Sequence, residues 1–306
     1  MHPIFFAVGS FFIGTYGVLL AIALVAGITL AIWRARKVGL SGDHIMDIAF
    51  WGVIAGFVGG RITYILLDLV NGPRQFLVEP WSMIFAREGF VFLGGLLAAV
   101  AVCAHIVRRR KLNPWLVSDI VMTSLVLGHA IGRVGCFMAG CCYGKVADPK
   151  GLLGFLAVQF PAATRMGGVV YPGLAYEEHL KYGLITAAAT RSLPVWPTQL
   201  FESAGNLAIF VVLMLLWRKR RFNGQILVAY VILYAVLRFC IEFLRGDVER
   251  GFLGPFSTSQ WICLAGFVFA LAILPYLRRT QNLDRQTVLE RQQRTHVKKQ
   301  HAKREP

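Results

Sequence analysis

The sequence has little charge for its length. Only 16% of its 306 residues are Asp, Glu, Lys or Arg, whereas soluble domains carry about a quarter. Hydrophobic residues make up 56% of the chain, and the mean hydropathy is +0.59. This composition excludes a soluble globular domain and a disordered segment. We therefore expect an integral membrane protein.

Acidic residues and cysteines are also scarce. The chain has 16 Asp and Glu against 32 Lys and Arg, a net charge of +16. Such a balance can indicate nucleic-acid binding, but these basic residues lie at the ends of apolar runs, without aromatic platforms beside them. The six cysteines are too few for a disulfide scaffold and indicate no redox compartment. We expect neither a nucleic-acid partner nor a disulfide framework.

Long apolar runs are abundant. A helix needs about 20 apolar residues to cross the hydrocarbon layer of a bilayer. Seven runs reach that length, at 10–33, 46–70, 89–107, 115–138, 197–217, 224–244 and 256–277. The first is too long for a signal peptide and is expected to be retained. The sequence thus predicts an all-α polytopic membrane protein with seven transmembrane helices in one domain, residues 1–277.

The basic residues also predict the orientation of these helices. Twenty of the 32 follow the first, third, fifth and seventh runs, nine lie in the other loops and three lie inside runs. By the positive-inside rule, the N-terminus is outside and the C-terminus cytoplasmic. Residues 139–196 then form a small periplasmic cap of short helices or turns. Residues 278–306 form a basic cytoplasmic tail that can contact anionic lipid.

Polar residues inside the runs indicate where function lies, because they are costly in lipid. At 1.5 Å per residue, the three arginines inside runs fall in the outer halves of their predicted helices. These arginines are Arg61, Arg133 and Arg238. The same arithmetic places five further residues near the outer edge: Tyr16, Gly94, Gly95, Gln199 and Glu202. We expect the functional site at this level.

Arginine at this depth has two explanations. Its guanidinium binds phosphate through two parallel hydrogen bonds and stays charged at any accessible pH, so an anionic phospholipid headgroup is the simplest partner. Alternatively, each arginine is paired with an internal carboxylate. Glu242 lies four residues after Arg238, and Glu202 lies at a similar depth.

Several motifs together resemble those of the prolipoprotein diacylglyceryl transferase family. The stretch GHAIGRVGCFMAGCCYG at 128–144 is similar to the family signature. Further similarities, in family order, are Tyr16, GGRITY at 59–64, WPTQLFE at 196–202 and YAVLRFCIEFLR at 234–245. The resemblance implies a transferase of the bacterial cytoplasmic (inner) membrane. It would move the diacylglyceryl group of phosphatidylglycerol to the lipobox cysteine of a prolipoprotein signal peptide. A thioether forms and glycerol phosphate is released, without cofactor or metal.

The resemblance also assigns roles to residues. It implies that Arg133 and Arg238 hold the lipid phosphate, with Tyr234 beside them. Four residues would support the substrate site or lock the helices: Arg61, Gln199, Glu202 and Glu242. Tyr16 and the glycines Gly94 and Gly95 complete the expected substrate-binding set. The glycines are also explained by close helix packing, which is the more ordinary role.

The sequence departs from the family pattern at polar positions. Leu93 stands where the family has a histidine before the paired glycines, and Trp196 replaces the histidine that opens its HPSQ motif. Cys136 and Cys141 replace an asparagine and a glutamate of the signature. A thiol of pKa about 8.5 needs activation as a nucleophile. His129, one turn before Arg133, is the candidate base, although a packing role for it stays open, as does a divergent paralogue with another acceptor.

The cysteines near the outer end of the fourth run allow several interpretations. Cys136, Cys141 and Cys142 could form a metal site, a redox pair or an acyl-carrying thiol. No histidine lies at zinc-finger spacing and adjacent cysteines rarely bridge, so we expect them to fill small apolar space. Two other functions are considered. An anion transporter should show broken helices and internal repeats, and a thiol oxidoreductase should show a spaced cysteine pair. Neither feature is evident.

Overall fold

The computed structural model of the protein describes residues 2–9, 11–86, 89–151, 154–246 and 251–283. The helices within these ranges, in chain order, are α1 (Thr15–Lys37), α2 (Gly42–Asn71), α3 (Gln75–Val78), α4 (Pro80–Phe85), α5 (Phe92–Arg109), α6 (Pro114–Ala139), α7 (Leu174–Lys181), α8 (Thr198–Arg218), α9 (Gln225–Leu244) and α10 (Thr258–Thr280). Seven of these are long and apolar enough to cross a membrane, namely α1, α2, α5, α6, α8, α9 and α10. The prediction of a helical, multi-pass membrane protein is confirmed.

Short hairpins, which the sequence analysis did not predict, accompany the helices. Their strands are β1 (Ile4–Val8), β2 (Phe11–Gly14), β3 (Ala163–Met166), β4 (Val169–Pro172), β5 (Phe252–Leu253) and β6 (Phe256–Ser257), each paired with its neighbour in sequence. The first hairpin makes α1 start at Thr15 rather than at residue 10. Strands of two to five residues carry too little periodicity to be distinguished from an apolar helix end.

The last helix is longer than expected. It continues to Thr280 and so takes up the start of the predicted tail. A side-chain capping box fixes its beginning, where Ser257 accepts a hydrogen bond from the backbone N–H of Gln260. The rest of the predicted basic tail, residues 284–306, lies outside the described residues.

The chain divides into two compact units. The smaller unit is residues 28–120, and the larger unit comprises residues 1–27 and 121–306. In the smaller unit α2 and α5 pack along each other, with glycines at the contact. A Cβ on Gly95 would lie 2.6 Å from the carbonyl oxygen of Gly56. Only glycine, whose side chain is a single hydrogen atom, permits the two backbones to approach this closely.

In the larger unit, α9 packs against both α8 and α10. An apolar core joins α6, α8 and α9, and its buried members are Val126, Ile209, Leu213, Ile226 and Tyr230. This core fixes the relative rotation of the three helices, because interdigitating side chains allow few alternative registers. It therefore determines which side chains of these helices face one another.

The segment between α6 and α8 has a small core of its own. Tyr143, Phe160, Ala175 and Val195 are buried together there. The Tyr143 hydroxyl donates a hydrogen bond to Glu178 (2.6 Å) on α7. The predicted short helices and turns are present, together with one hairpin. The location of this segment on the outer face of a membrane stays a prediction.

Candidate active site

The carboxylate of Glu202, on α8, lies between charged side chains of α6 and α9. Its Oε1 is 3.1 Å from Arg133 Nη2 on α6, and its Oε2 is 3.7 Å from Arg238 Nη1 on α9. The Tyr234 hydroxyl donates to the same Oε1 at 3.4 Å. The Glu202 side chain is only 2% exposed, so these contacts take place away from water. Glu202 is the centre of the site and joins the two arginines.

Helix geometry explains how α9 contributes three of these groups. Tyr234, Arg238 and Glu242 are spaced by four residues and share one face. Arg238 Nη2 is 2.9 Å from Glu242 Oε2, so Arg238 is held between two carboxylates. Its Nη1 is buried and makes no hydrogen bond within the described part of the chain. One guanidinium donor thus remains for an additional acceptor.

His129 lies one turn from Arg133 on α6 and faces the same centre. Arg133 Nε donates to His129 Nε2 at 3.3 Å, and Glu202 Oε1 lies 3.5 Å from that nitrogen. A histidine that accepts at Nε2 is neutral and carries its proton on Nδ1. Its lone pair is then already used, so in this arrangement His129 orients Arg133.

Hydrogen bonds from α8 fix the neighbouring backbone. Ser203 donates to the carbonyl oxygen of Ala130 on α6 (2.7 Å). Gln199 Nε2 donates to the carbonyl oxygen of Cys141 (2.7 Å), and the Thr198 hydroxyl donates to that of Cys142 (2.9 Å). The buried start of α8 is thereby attached to the end of α6 and the turn that follows it.

Both explanations for the arginines have support in this arrangement. Arg133 and Arg238 are paired with Glu202, and Arg238 also with Glu242. Two guanidinium groups and two carboxylates balance in formal charge. The arginines are nevertheless 15% and 12% exposed, and the Nη1 of Arg238, which lies 3.7 Å from Glu202 without a hydrogen bond in the described part of the chain, adds a donor. The site can accept an anion from outside because bidentate guanidinium groups have more donors than these carboxylates use.

Comparison with known proteins identifies the family. The model of the family described as prolipoprotein diacylglyceryl transferase matches residues 3–276. The chain belongs to the prolipoprotein diacylglyceryl transferase family. A protein of Clostridium tetani named phosphatidylglycerol–prolipoprotein diacylglyceryl transferase is 28% identical over 285 residues, covering 93% of this chain and 98% of its own length. A protein of Enterococcus faecalis with the same name is 32% identical over 270 residues, covering 86% of this chain and 87% of its own length.

Tyr16 and Arg61 were also expected at the site and lie outside the contacts around Glu202. Tyr16 packs beside α6, where a Cβ on Gly135 would lie 3.0 Å from the Tyr16 ring. It lies within electrostatic reach of Arg133 and of Cys136, Cys141 and Cys142. Arg61 belongs to the smaller unit. It donates to the carbonyl oxygens of Gly89 (2.9 Å) and Ala86, and its guanidinium lies over the ring of Phe90, 4.4 Å from the centroid. These contacts tie α2 to the segment before α5.

The expected glycines Gly94 and Gly95 occur at the contact between α2 and α5. A Cβ on Gly94 would overlap with the side chain of Thr63, and Gly95 approaches Gly56 in the same way. Leu93 is the residue before them and is half exposed. Trp196 lies in the cap segment, where its carbonyl oxygen accepts from the backbone N–H of Gly144 (2.8 Å).

Two features of the site were not predicted from the sequence. Thr198 and Ser203 are polar residues of α8 that anchor it to neighbouring backbone. Thr198 directly precedes Gln199 within the WPTQ motif, and this position in a recognised motif was the sequence signal for its role. The three thiols of Cys136, Cys141 and Cys142 also converge, with all Sγ atoms within 4.8 Å of one another. Their spacing in sequence alone did not distinguish this cluster from apolar filling.

Proposed function

We propose that this chain transfers the diacylglyceryl group of phosphatidylglycerol to the lipobox cysteine of prolipoproteins. The acceptor sulfur forms a bond with the glyceryl carbon. The bond between that carbon and the phosphate oxygen breaks, and glycerol phosphate leaves with the electron pair. The observation that carries the proposal is the pair of arginines bridged by Glu202, with a buried Arg238 donor left over. The family and its named relatives support the same chemistry.

The arginines would act on the leaving group. Negative charge accumulates on the phosphate oxygens as the carbon–oxygen bond breaks, and fixed cations in a water-poor site stabilise that charge. Arg238 Nη1, which makes no hydrogen bond in the described part of the chain, would donate to such an oxygen, and His129 and Glu202 orient Arg133. Glu202 and Glu242 hold the two guanidinium groups in place between turnovers. The Tyr234 hydroxyl, which donates to Glu202, would be a further polar group beside the phosphate.

The remaining predicted site residues would support this arrangement at a distance from the reacting atoms. Gln199 holds the turn after α6, and Tyr16 lies against α6 itself. Arg61, Gly94 and Gly95 would fix α2 against α5. We propose no direct contact with the phosphate for these residues.

The test is transfer of labelled diacylglycerol from phosphatidylglycerol to a lipobox peptide, measured with the full chain in membranes. Arg238→Lys keeps the charge but loses the planar fork, so we expect a fall of about 100-fold. Arg165→Lys makes the same exchange at an exposed position of β3 and should have no effect. Unchanged transfer by Arg238→Lys would make Arg238 a structural ion. Absence of transfer by the unaltered chain would refute the function.

We also propose the orientation and compartment. The N-terminus would be outside, residues 139–196 periplasmic and the C-terminus cytoplasmic, in the bacterial cytoplasmic (inner) membrane, because basic residues cluster on one side. Reporter fusions after residue 111 and at the C-terminus should report a cytoplasmic location, and a fusion near residue 165 a periplasmic one. A cytoplasmic signal at 165 would refute the outer-leaflet site.

A further inference from the structure

The end of α6 folds three cysteines together. Gly140, with φ of 80°, and Cys142, with φ of 58°, adopt left-handed conformations that reverse the chain after the helix. The backbone N–H groups of Gly140 and Cys141 both donate to the carbonyl oxygen of Cys136 (2.9 and 3.2 Å). A left-handed cysteine is uncommon and persists only where surrounding contacts impose it. This turn brings Cys141 and Cys142 back beside Cys136.

Hydrogen bonds from side chains of α8 also fix this turn. The carbonyl oxygens of Cys141 and Cys142 accept hydrogen bonds from the buried side chains of Gln199 and Thr198. All three Sγ atoms lie within 4.8 Å of one another. Three thiolates bound to a tetrahedral metal at about 2.3 Å would be about 3.8 Å apart. Each pair of sulfurs is therefore no more than about 1 Å farther apart than that spacing requires.

Charge also favours a bound soft cation. Three thiolates and one divalent ion leave a net charge of −1, and a bound acceptor thiolate makes it −2. Arg133 and Arg245 are within electrostatic reach of the Cys142 sulfur and can balance it. Thiolate donors select ions such as Zn²⁺ over Mg²⁺ and Ca²⁺. Apolar filling does not need three converging sulfurs beside two cations.

We infer that Cys136, Cys141 and Cys142 bind Zn²⁺ through their three thiolates and that the fourth coordination position takes the acceptor thiol. The second half of this inference rests on the proposed function. A thiol that coordinates a metal is deprotonated. The proton goes to water, and the bound thiolate then attacks the glyceryl carbon while the phosphate leaves towards the arginines. No oxidant or reductant is needed.

This assignment would explain how thiol activation is achieved in this sequence. Leu93 has no group that accepts a proton, and the His129 lone pair is used by Arg133. Arg133 lies on α6 one turn before Cys136, so a thiolate at the cluster and a phosphate at Arg133 would be neighbours. The inference departs from the sequence-based expectation of a site without metal.

Metal binding is tested first without reference to activity. Reduced, metal-free full-length protein in detergent is titrated with Co²⁺, a spectroscopic probe for Zn²⁺ sites. We expect one equivalent bound, with cysteinate-to-cobalt charge-transfer absorption that Zn²⁺ displaces. Cys141→Ser should lower the affinity at least about 100-fold, whereas the double variant Cys103→Ser/Cys240→Ser should retain the full signal. Absence of the absorption, or its persistence in Cys141→Ser, would overturn the metal site.

A second measurement needs no variant and is therefore independent of folding defects. Zn²⁺ should protect Cys136, Cys141 and Cys142 of the unaltered chain from maleimide, as located by mass spectrometry. Cys240 lies on α9 outside the cluster, so whatever labelling it shows should be the same with and without Zn²⁺. Equal labelling of the cluster in both conditions would overturn the site, as would a disulfide within the cluster that persists under the reducing conditions of the titration.

The transfer assay then separates the two proposals. Removal of the metal should lower diacylglyceryl transfer at least about tenfold, and one equivalent of Zn²⁺ should restore it. Full transfer by metal-free protein would overturn the thiol-activating role and leave the proposed function intact. Specific Zn²⁺ binding in a chain that shows no transfer under any condition would leave the metal site and refute the proposed function.

Discussion

The two units bury polar groups among apolar helices in different ways. In the larger unit, charged side chains from α6, α8 and α9 meet at Glu202, although they are far apart in sequence. In the smaller unit, α2 and α5 meet through glycine backbone, and Arg61 donates to the carbonyl oxygens of Ala86 and Gly89. The first arrangement is the one that we propose to bind and release an anion. The second fixes helix positions.

This difference shows which buried arginines are suited to chemistry. Arg61 contacts the carbonyl oxygens of Ala86 and Gly89 in the segment before α5, and these contacts hold α2 against that segment. Carboxylates between two arginines instead create a balanced network in which a phosphate can displace one interaction and gain another. Such a network contributes little net stability, because desolvation opposes the attraction between its charges. We propose that the network instead orients groups for the reaction.

The largest expected effect comes from removing the central charge. Glu202→Gln keeps the size of the side chain but leaves Arg133 and Arg238 with less compensation in a buried site. Breaking a buried ion pair in this way typically destabilises by about 3–5 kcal/mol. We expect a lower unfolding temperature for the protein in detergent, together with loss of diacylglyceryl transfer.

Glu177→Gln is the matched control for that variant. Glu177 is an exposed residue of α7. The Glu177→Gln protein should therefore keep the unfolding temperature and the diacylglyceryl transfer of the unaltered chain. If Glu202→Gln were as stable and active as the control, the network would be unnecessary in both respects. The distinction between the two units would then be wrong.

The second largest effect is expected at the glycine contact between α2 and α5. A Cβ introduced by Gly95→Ala would lie 2.6 Å from the carbonyl oxygen of Gly56, so α2 and α5 must separate. Overpacking of this kind costs about 1–3 kcal/mol. Gly17→Ala is the control, because its Cβ would meet nothing within 4 Å. Thermal unfolding should show a loss for the first variant only, and equal stability of both would exclude a packing role for Gly95.

Substitution of either of two neutral residues of the charged network, His129 or Tyr234, should have a smaller effect on transfer. His129→Gln removes the Arg133 Nε contact, and Tyr234→Phe removes the hydroxyl 3.4 Å from Glu202. Each loses about one hydrogen bond, so we expect transfer to fall about tenfold. Leu93→His should be tolerated or raise transfer, since it restores a group that accepts protons. Full activity of both His129→Gln and Tyr234→Phe would exclude any catalytic or orienting role for these two side chains.

Much of the fold could be predicted because helix length and hydropathy are local properties. All seven long helices lie within a few residues of the apolar runs. The depth arithmetic also placed Arg133, Glu202 and Arg238 at one level. It could not show that Glu202 lies between the arginines, because helix rotation depends on the core around Val126 and Leu213. The cysteine cluster depends on left-handed backbone after α6, which no hydrophobic pattern encodes.

The smallest expected effect concerns a buried neutral group of the larger unit, His179 on α7. His179 is 3% exposed, and its Nδ1 accepts a hydrogen bond from the backbone N–H of Leu193 (3.2 Å). Burial lowers the pKa of His179, although the neighbouring Glu178 opposes this shift. The unfolded chain therefore binds a proton more readily than the folded one, with a pKa of about 6.5.

Stability of this segment should consequently be greatest above that pH and decrease as the pH falls through the unfolded value towards the lower folded one. Hydrogen exchange of the α7 and Leu193 amides, measured from pH 7.5 to 5 and corrected for intrinsic exchange rates, should show this loss of protection. His179→Asn can keep an acceptor for Leu193 but cannot titrate, so it should flatten the pH dependence. The same slope in His179→Asn would assign the effect to other titratable groups.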